Sequence, residues 1–237
     1  MTPLVLVHLY PHEMNIYGDT GNVLVLRRRL EWRGLPVEVV PVGVGAPLPA
    51  NADIVLGGGG QDAAQGEIGA DVLAKGPDLR AQADDGVVML AICGMYQLLG
   101  HEFRTHEGRS IPGVGVLDVT TRGSDTRLIG NHAVASPWGQ IVGYENHSGL
   151  TELGPSATRL ADTAVGKGNN GVDRSEGCIR DNVIGTYLHG PVLAKSPAFA
   201  DELIRRALAR RGDSAELAPL DDAIALRAAV VAAGRPR

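Results

Sequence analysis

Cys93 and His189 have the residue type and setting for acyl transfer. Cys93 closes the apolar run Val87-Val88-Met89-Leu90-Ala91-Ile92 and is followed by Gly94-Met95-Tyr96-Gln97-Leu98-Leu99-Gly100. The first segment reads as a strand buried on both faces, the second as a short helix stopped by glycine. A strand that turns sharply into a helix lifts the corner residue out of the sheet and aims the next backbone N–H groups at whatever that residue attacks. The start of a helix also favours thiolate over thiol. A free cysteine in such a run can equally be a small core residue. The nucleophile reading therefore needs a base and an oxyanion hole from elsewhere in the chain.

The base on offer is His189, which ends the run Asn182-Val183-Ile184-Gly185-Thr186-Tyr187-Leu188 and precedes the turn signal Gly190-Pro191. Ligands of open α/β sheets bind at the carboxyl ends of the strands, where this histidine would lie. The strand Ala52-Asp53-Ile54-Val55-Leu56 runs into Gly57-Gly58-Gly59-Gly60, which lets backbone approach a ligand closely. A phosphate cradle is the rival, but no Lys-Ser or Lys-Thr completes a G-x-x-x-x-G-K-[ST] pattern, and a flexible turn is the bland alternative. On the oxyanion reading, N–H groups of Gly58, Gly59 and Gly94 hold the charge that develops on a carbonyl oxygen. A cysteine, a histidine and such donors together give acyl transfer through a thioester, with His189 taking the thiol proton and passing it to a leaving amine.

The elements that must position these groups follow from hydropathy. Leu4 to Leu9, Pro36 to Val40 and Ala52 to Leu56 read as strands, with a helix from Asn22 to Arg33 between the first two, so a βαβ unit and a parallel sheet are expected. Asp19 or Thr20 is placed to cap that helix. Its arginines Arg27, Arg28, Arg29 and Arg33 read as a solvated face. Helix is expected from Glu67 to Asp84, interrupted at Gly76-Pro77. Between Gly113 and Gly149, Val114–Thr120, Thr126–Gly130 and Gln140–Tyr144 read as short strands meandering onto the same sheet. Tyr144-Glu145-Asn146-His147-Ser148-Gly149 is a dense polar cluster in which a lone histidine is more often structural than catalytic. Cys178 reads as a packed strand cysteine. Ser196-Pro197 opens a helix to Arg211, and an apolar helix from Asp221 to Ala233 is expected to pack on the sheet. Residues 1–237 are read as a single domain, with 196–237 forming C-terminal helices packed on it.

The net charge of −5 without a basic block argues against nucleic acid as a partner. No apolar run reaches membrane-spanning length, and Met1-Thr2-Pro3 lacks the features of a signal peptide. Two distant cysteines make no disulfide framework, so a cytoplasmic protein is expected. The histidines and cysteines have no metal-ligand spacing, so no metal is expected.

Ala91-Ile92-Cys93-Gly94-Met95-Tyr96-Gln97 with Thr186-Tyr187-Leu188-His189-Gly190 resembles the class I glutamine amidotransferases of the cobyric-acid-synthase-like branch. Within it, Asn15-Ile16-Tyr17-Gly18-Asp19-Thr20-Gly21-Asn22, the Leu56-to-Asp62 run through Gln61, and Tyr144-Glu145-Asn146-His147 resemble the glutaminase subunits of lipid II isoglutaminyl synthases. The resemblance implies a flavodoxin-like α/β fold with a mostly parallel central sheet, flanking helices and a nucleophile elbow. It implies hydrolysis of L-glutamine to glutamate and ammonia, with Arg127 on the substrate α-carboxylate and Gln97 orienting the substrate. It also implies a heterodimer with a Mur-ligase-like synthetase that carries the ATP and metal and amidates D-glutamate of the peptidoglycan stem. This chain itself would carry no cofactor. Amidation of a corrinoid precursor, and a catalytically weak structural subunit, are the alternatives. Two departures stand out: Met95 replaces the glycine usual two residues after the nucleophile, and Pro191 replaces the carboxylate usual two residues after the histidine. A histidine without an orienting acid is a slower base. The resemblance suggests an aspartate contributed by the partner.

Overall fold

The computed structural model describes residues 2–60, 62–214 and 216–235, with the side chains of 62–67 excluded. Gln61 and the Asp62 side chain, which end the expected glycine motif, lie outside the described residues. The chain opens with β1 (Leu4–Leu9), α1 (Thr20–Glu31), β2 (Val37–Val42) and β3 (Ile54–Gly57). It continues with α2 (Asp62–Ala74), α3 (Gly76–Asp84), β4 (Val88–Ile92) and α4 (Gly94–Leu99). Next come β5 (Glu102–Arg104), β6 (Ser110–Pro112), β7 (Val119–Ser136), β8 (Gly139–Leu153), β9 (Ala161–Val165) and β10 (Ser175–Glu176). The last elements are β11 (Cys178–Arg180), β12 (Val183–Thr186), a 3-10 turn at Val192–Lys195, α5 (Pro197–Arg210) and α6 (Ala223–Ala233).

A six-stranded sheet in the order β2-β1-β3-β4-β12-β11 forms the body, parallel except for β11 at its edge. Strands β1, β3, β4 and β12 are buried along their whole length, as unbroken apolar runs demand when helices cover both faces. The chain leaves β1 to one side, for β2, and returns on the other side with β3. This reversal opens a crevice at the carboxyl ends of the strands. Register sets what meets there: Leu9 pairs with Gly57, Gly57 with Ala91, and Ile92 with Thr186. One step further, the Cys93 amide donates to the Thr186 carbonyl at 2.8 Å.

The middle of the chain departs from expectation. Its strands are not short additions to the body sheet but a second six-stranded sheet, built on the long β7–β8 hairpin. Residues expected as strand at 114–118 instead form a bend leading into β7. The two sheets are stitched where Tyr144 of β8 and His189 pair as an antiparallel bridge, with N–H···O distances of 3.2 and 2.9 Å. The second sheet therefore forms a wall beside the strand ends.

Two helices also differ from their reading. Arg29 is not solvated: it is buried and bonded to Asp201 at 2.7 Å and Asp222 at 2.6 Å, tying α1 to α5 and to the start of α6. Helix α6 lies against β7 and β8 of the second sheet rather than on the body sheet, and it has no buried residue. Its half-covered positions are alanines (Ala225, Ala229, Ala232, Ala233), while Ile224, Leu226, Val230 and Val231 face outward. Among the described residues, no helix is long and apolar enough to cross a membrane.

Candidate active site

Cys93 stands between β4 and α4 with φ +51° and ψ −104°, a left-handed conformation that a non-glycine residue adopts at a cost of order 1–3 kcal/mol. This is the strained corner of a nucleophile elbow. The first amides of α4, at Gly94 and Met95, have no acceptor within the helix and gather at its N-terminus beside the sulfur. Met95 is accommodated by the opposite strand. It is buried and packs over Gly57, where a Cβ would collide with the Met95 side chain. The methionine thus fills the space that the missing glycine side chain leaves.

His189 is fully buried, three residues beyond the Thr186–Cys93 contact. Its Nδ1 lies 3.1 Å from Oδ2 of Asp19. The other ring nitrogen, Nε2, is buried without a well-directed hydrogen-bond partner, and the Cys93 thiol interacts with this ring. Burial pulls the imidazole toward the neutral form, but the charge and contact of Cys93 and the carboxylate of Asp19 outweigh it and raise its pKa to about 10.

Within this chain, Asp19 therefore stands at the imidazole in the role of the carboxylate that Pro191 replaces in the sequence. Pro191 packs on Gly21, whose missing side chain makes room for it, and the Leu193 amide donates to Asn22 Oδ1 at 2.9 Å. These contacts seat the start of α1 against the histidine turn and deliver Asp19 to the ring. Asp19 does occupy the N-cap position of α1, yet its side chain makes no capping bond. Its Oδ2 instead accepts from the Gly59 amide at 2.8 Å and faces His189.

That contact also engages one of the amides expected at the oxyanion. The Gly59 N–H is committed to Asp19 and is not directed at a carbonyl oxygen. Gly59 remains essential to the geometry: a Cβ there would lie 2.5 Å from Cε1 of His189 and 3.2 Å from Cβ of Cys93. Gly58 is equally crowded, by the Met14 carbonyl and the Asp19 side chain. Among the expected donors, Gly94 keeps the clearest position.

Arg127 lies in the irregularity of the β7–β8 ladder between Gly123 and Leu128, of the kind that re-aims a side chain. Its Nε donates to Asn146 Oδ1 at 3.0 Å and its Nη2 to the Asn146 carbonyl at 3.1 Å, leaving the side chain exposed. Gln97, expected at the substrate, is committed to the interior. Its Nε2 donates to the Tyr187 hydroxyl at 3.0 Å, which also contacts Thr151 Oγ1 at 2.6 Å. His147 stacks on the Tyr187 ring at 3.6 Å and bonds the Gly149 carbonyl through Nδ1 at 2.7 Å. Burial lowers its pKa to about 4, so it is a neutral structural histidine at ordinary pH. Cys178 is buried, and burial pushes its thiol up to about 12, well away from the reactive range.

A flavodoxin-like sheet with an elbow cysteine, a strand-end histidine and a carboxylate on its ring defines a glutamine amidotransferase of the class I type. Solved structures share the fold. One described as a glutamine amidotransferase has a TM-score of 0.57 at 15% identity, covering 85% of this chain and 98% of its own. The glutaminase domain of Trypanosoma brucei CTPS with bound acivicin has a TM-score of 0.52 at 12% identity, covering 91% and 96%. The model of the CobB/CobQ-like glutamine amidotransferase domain matches residues 5–197, and the chain belongs to that family. It is 34% identical to the lipid II isoglutaminyl synthase (glutamine-hydrolyzing) subunit GatD of Staphylococcus aureus, over 96% of this chain and 94% of that protein. To the protein of the same name in Streptococcus pneumoniae it is 35% identical, over 92% and 86%. It is 32% identical to the cobyric acid synthase of Sphingopyxis alaskensis, over 72% of this chain but 35% of that protein.

Proposed function

We propose that this chain is the glutamine-hydrolysing subunit of a lipid II isoglutaminyl synthase, working through Cys93, His189 and Asp19. The observation that supports it most directly is the meeting of an elbow cysteine, a buried imidazole and an in-chain carboxylate at the strand ends. It is joined by near-full-length similarity to two subunits of that name. Arg127 takes the α-carboxylate of glutamine, where a guanidinium suits a carboxylate. The Cys93 sulfur attacks the side-chain carbonyl carbon, and the oxyanion is held by the amide of Gly94 with that of Gly58 beside it. The imidazolium of His189 gives its proton to the leaving nitrogen, the C–N bond breaks, and ammonia departs from a thioester. His189, now neutral, takes a proton from water as that water attacks the thioester, releasing glutamate and restoring the thiolate–imidazolium pair. Asp19 holds the ring in one tautomer and stabilises its charged form.

The ammonia passes to a Mur-ligase-like, ATP-using partner that amidates D-glutamate of the lipid II stem peptide. The test is reconstitution with that partner. Cys93→Ala and His189→Ala should each abolish amidation driven by glutamine while amidation driven by added ammonia persists. Retention of glutamine-driven amidation by Cys93→Ala refutes the mechanism. Replacement of the lipid II stem peptide by a corrinoid precursor as the acceptor amidated refutes the pathway.

A further inference from the structure

The β1–α1 loop carries a second aromatic group to the site that the mechanism above leaves unused. Tyr17 sits on this loop two residues before Asp19. Its ring meets that of His189 edge to face, with centroids 4.6 Å apart and planes at 63°. Its hydroxyl lies near enough to the Arg127 guanidinium to feel its charge, and Arg127 is itself bonded to Asn146. The loop is pinned where it must be to place such a side chain. The Ile16 amide donates to the Gly59 carbonyl at 3.1 Å, the Thr20 amide to Asn15 Oδ1 at 2.9 Å, and Gly18 takes the turn at φ +75°. Tyr17 is half-buried, so part of its side chain stays open to solvent.

We propose that Tyr17 is a substrate-positioning residue that fixes the spacing between the two ends of glutamine. Its ring edge stands at the imidazole, where the carboxamide must react, and its hydroxyl stands at Arg127, where the carboxylate must dock. By ordinary bond lengths, extended glutamine places these two carbons about 5 Å apart, comparable to the reach of a phenol from ring edge to hydroxyl. A rigid aromatic spacer with two χ angles holds such a separation at low entropic cost. The hydroxyl restrains an otherwise exposed guanidinium, and the ring restrains the imidazole face. This inference rests on the reading that Arg127 binds the α-carboxylate.

The two functions of Tyr17 separate in steady-state glutaminase assays of the full chain with its synthetase partner present. Loss of the hydroxyl beside Arg127 in Tyr17→Phe should raise KM for glutamine by about five- to tenfold with kcat within about twofold, since ring and imidazole still meet. Tyr17→Leu should show the same rise in KM and, with the ring gone, a fall in kcat of about tenfold or more. With L-glutamine α-amide, which lacks the carboxylate, Tyr17→Phe and the parent should have equal kcat/KM. An unchanged KM in Tyr17→Phe, an equal loss with both substrates, or an unaltered kcat in Tyr17→Leu overturns the proposal. Arg127→Ala separates it from its premise. If that variant leaves KM for glutamine unchanged, the Arg127 reading fails. If Arg127→Ala raises KM and Tyr17→Phe does not, Tyr17 alone is wrong.

Discussion

Replacement of Asp19 by asparagine probes the part of the site that the fold supplies and the local sequence conceals. Asp19 is buried, and its Oδ2 serves two groups at once, the Gly59 amide at 2.8 Å and His189 Nδ1 at 3.1 Å. The Gly59 N–H demands an oxygen at that position, so the new amide is held with its carbonyl toward both partners and its NH2 on the far side. The tautomer of His189 is thereby kept, and what is lost is the negative charge. A hydrogen bond to a charged group is worth about 1.5–3 kcal/mol, so kcat/KM should fall about 10- to 150-fold. This is well short of the roughly 10⁴-fold loss that follows when an asparagine forces the wrong tautomer in a serine protease triad. The pH profile should move as well. Cys93 and Asp19 together hold the His189 pKa at about 10 against burial, and the ring must stay protonated to give its proton to the leaving nitrogen. Removing the Asp19 charge lowers that pKa, so the alkaline limb of kcat should shift toward neutral pH. Glutamate release from glutamine, followed across pH with the partner present, reads both effects, and ammonia-driven amidation controls for assembly. Parent-like kcat/KM in the complex would mean that the carboxylate comes from another subunit after all. An unmoved alkaline limb would mean that Asp19 does not act on the imidazole charge.

Gly59→Ala tests the close approach of the glycine strand. The added Cβ must displace the His189 ring from 2.5 Å, so glutaminase activity should fall about 100-fold or more while unfolding shows the milder overpacking cost of about 1–3 kcal/mol. Activity within a few-fold of the parent would show that the ring has room to spare. His147 makes a prediction for stability. Its folded pKa of about 4 lies below the ordinary imidazole value of 6.5, so between those values the unfolded chain binds the proton and the folded one does not. Stability should therefore decline as pH falls from 6.5 toward 4, by up to about 3 kcal/mol from this group. Urea unfolding at stepped pH should show a smaller acid loss in His147→Phe than in the parent, and equal slopes would refute the assignment.

The alternation of apolar runs with helical segments was enough to read the α/β class, because strands covered on both faces leave an unbroken hydrophobic signature. Cys93, the glycine run and His189 were legible for a related reason: each follows directly on such a strand, so its place at the rim is a local fact. The second sheet was not legible. Its hairpin strands are interrupted by glycines and polar residues, and whether they pair with the body or with one another is decided by long-range register. Gln97 lies one helical turn from the nucleophile in sequence, yet the packing of α4 turns its amide to Tyr187.

Asp19 shows the division most clearly. By itself the sequence around it spells a helix cap, and a cap it is by position. Its carboxylate, however, reaches across 170 residues of chain to His189, because Pro191 packs on Gly21 and seats the α1 terminus beside the histidine turn. Sequence periodicity fixes which residues lie on strands and at their ends, since that depends on neighbours along the chain. Which acid meets the imidazole, and which amide is already occupied when it does, depends on contacts between elements that no local pattern encodes.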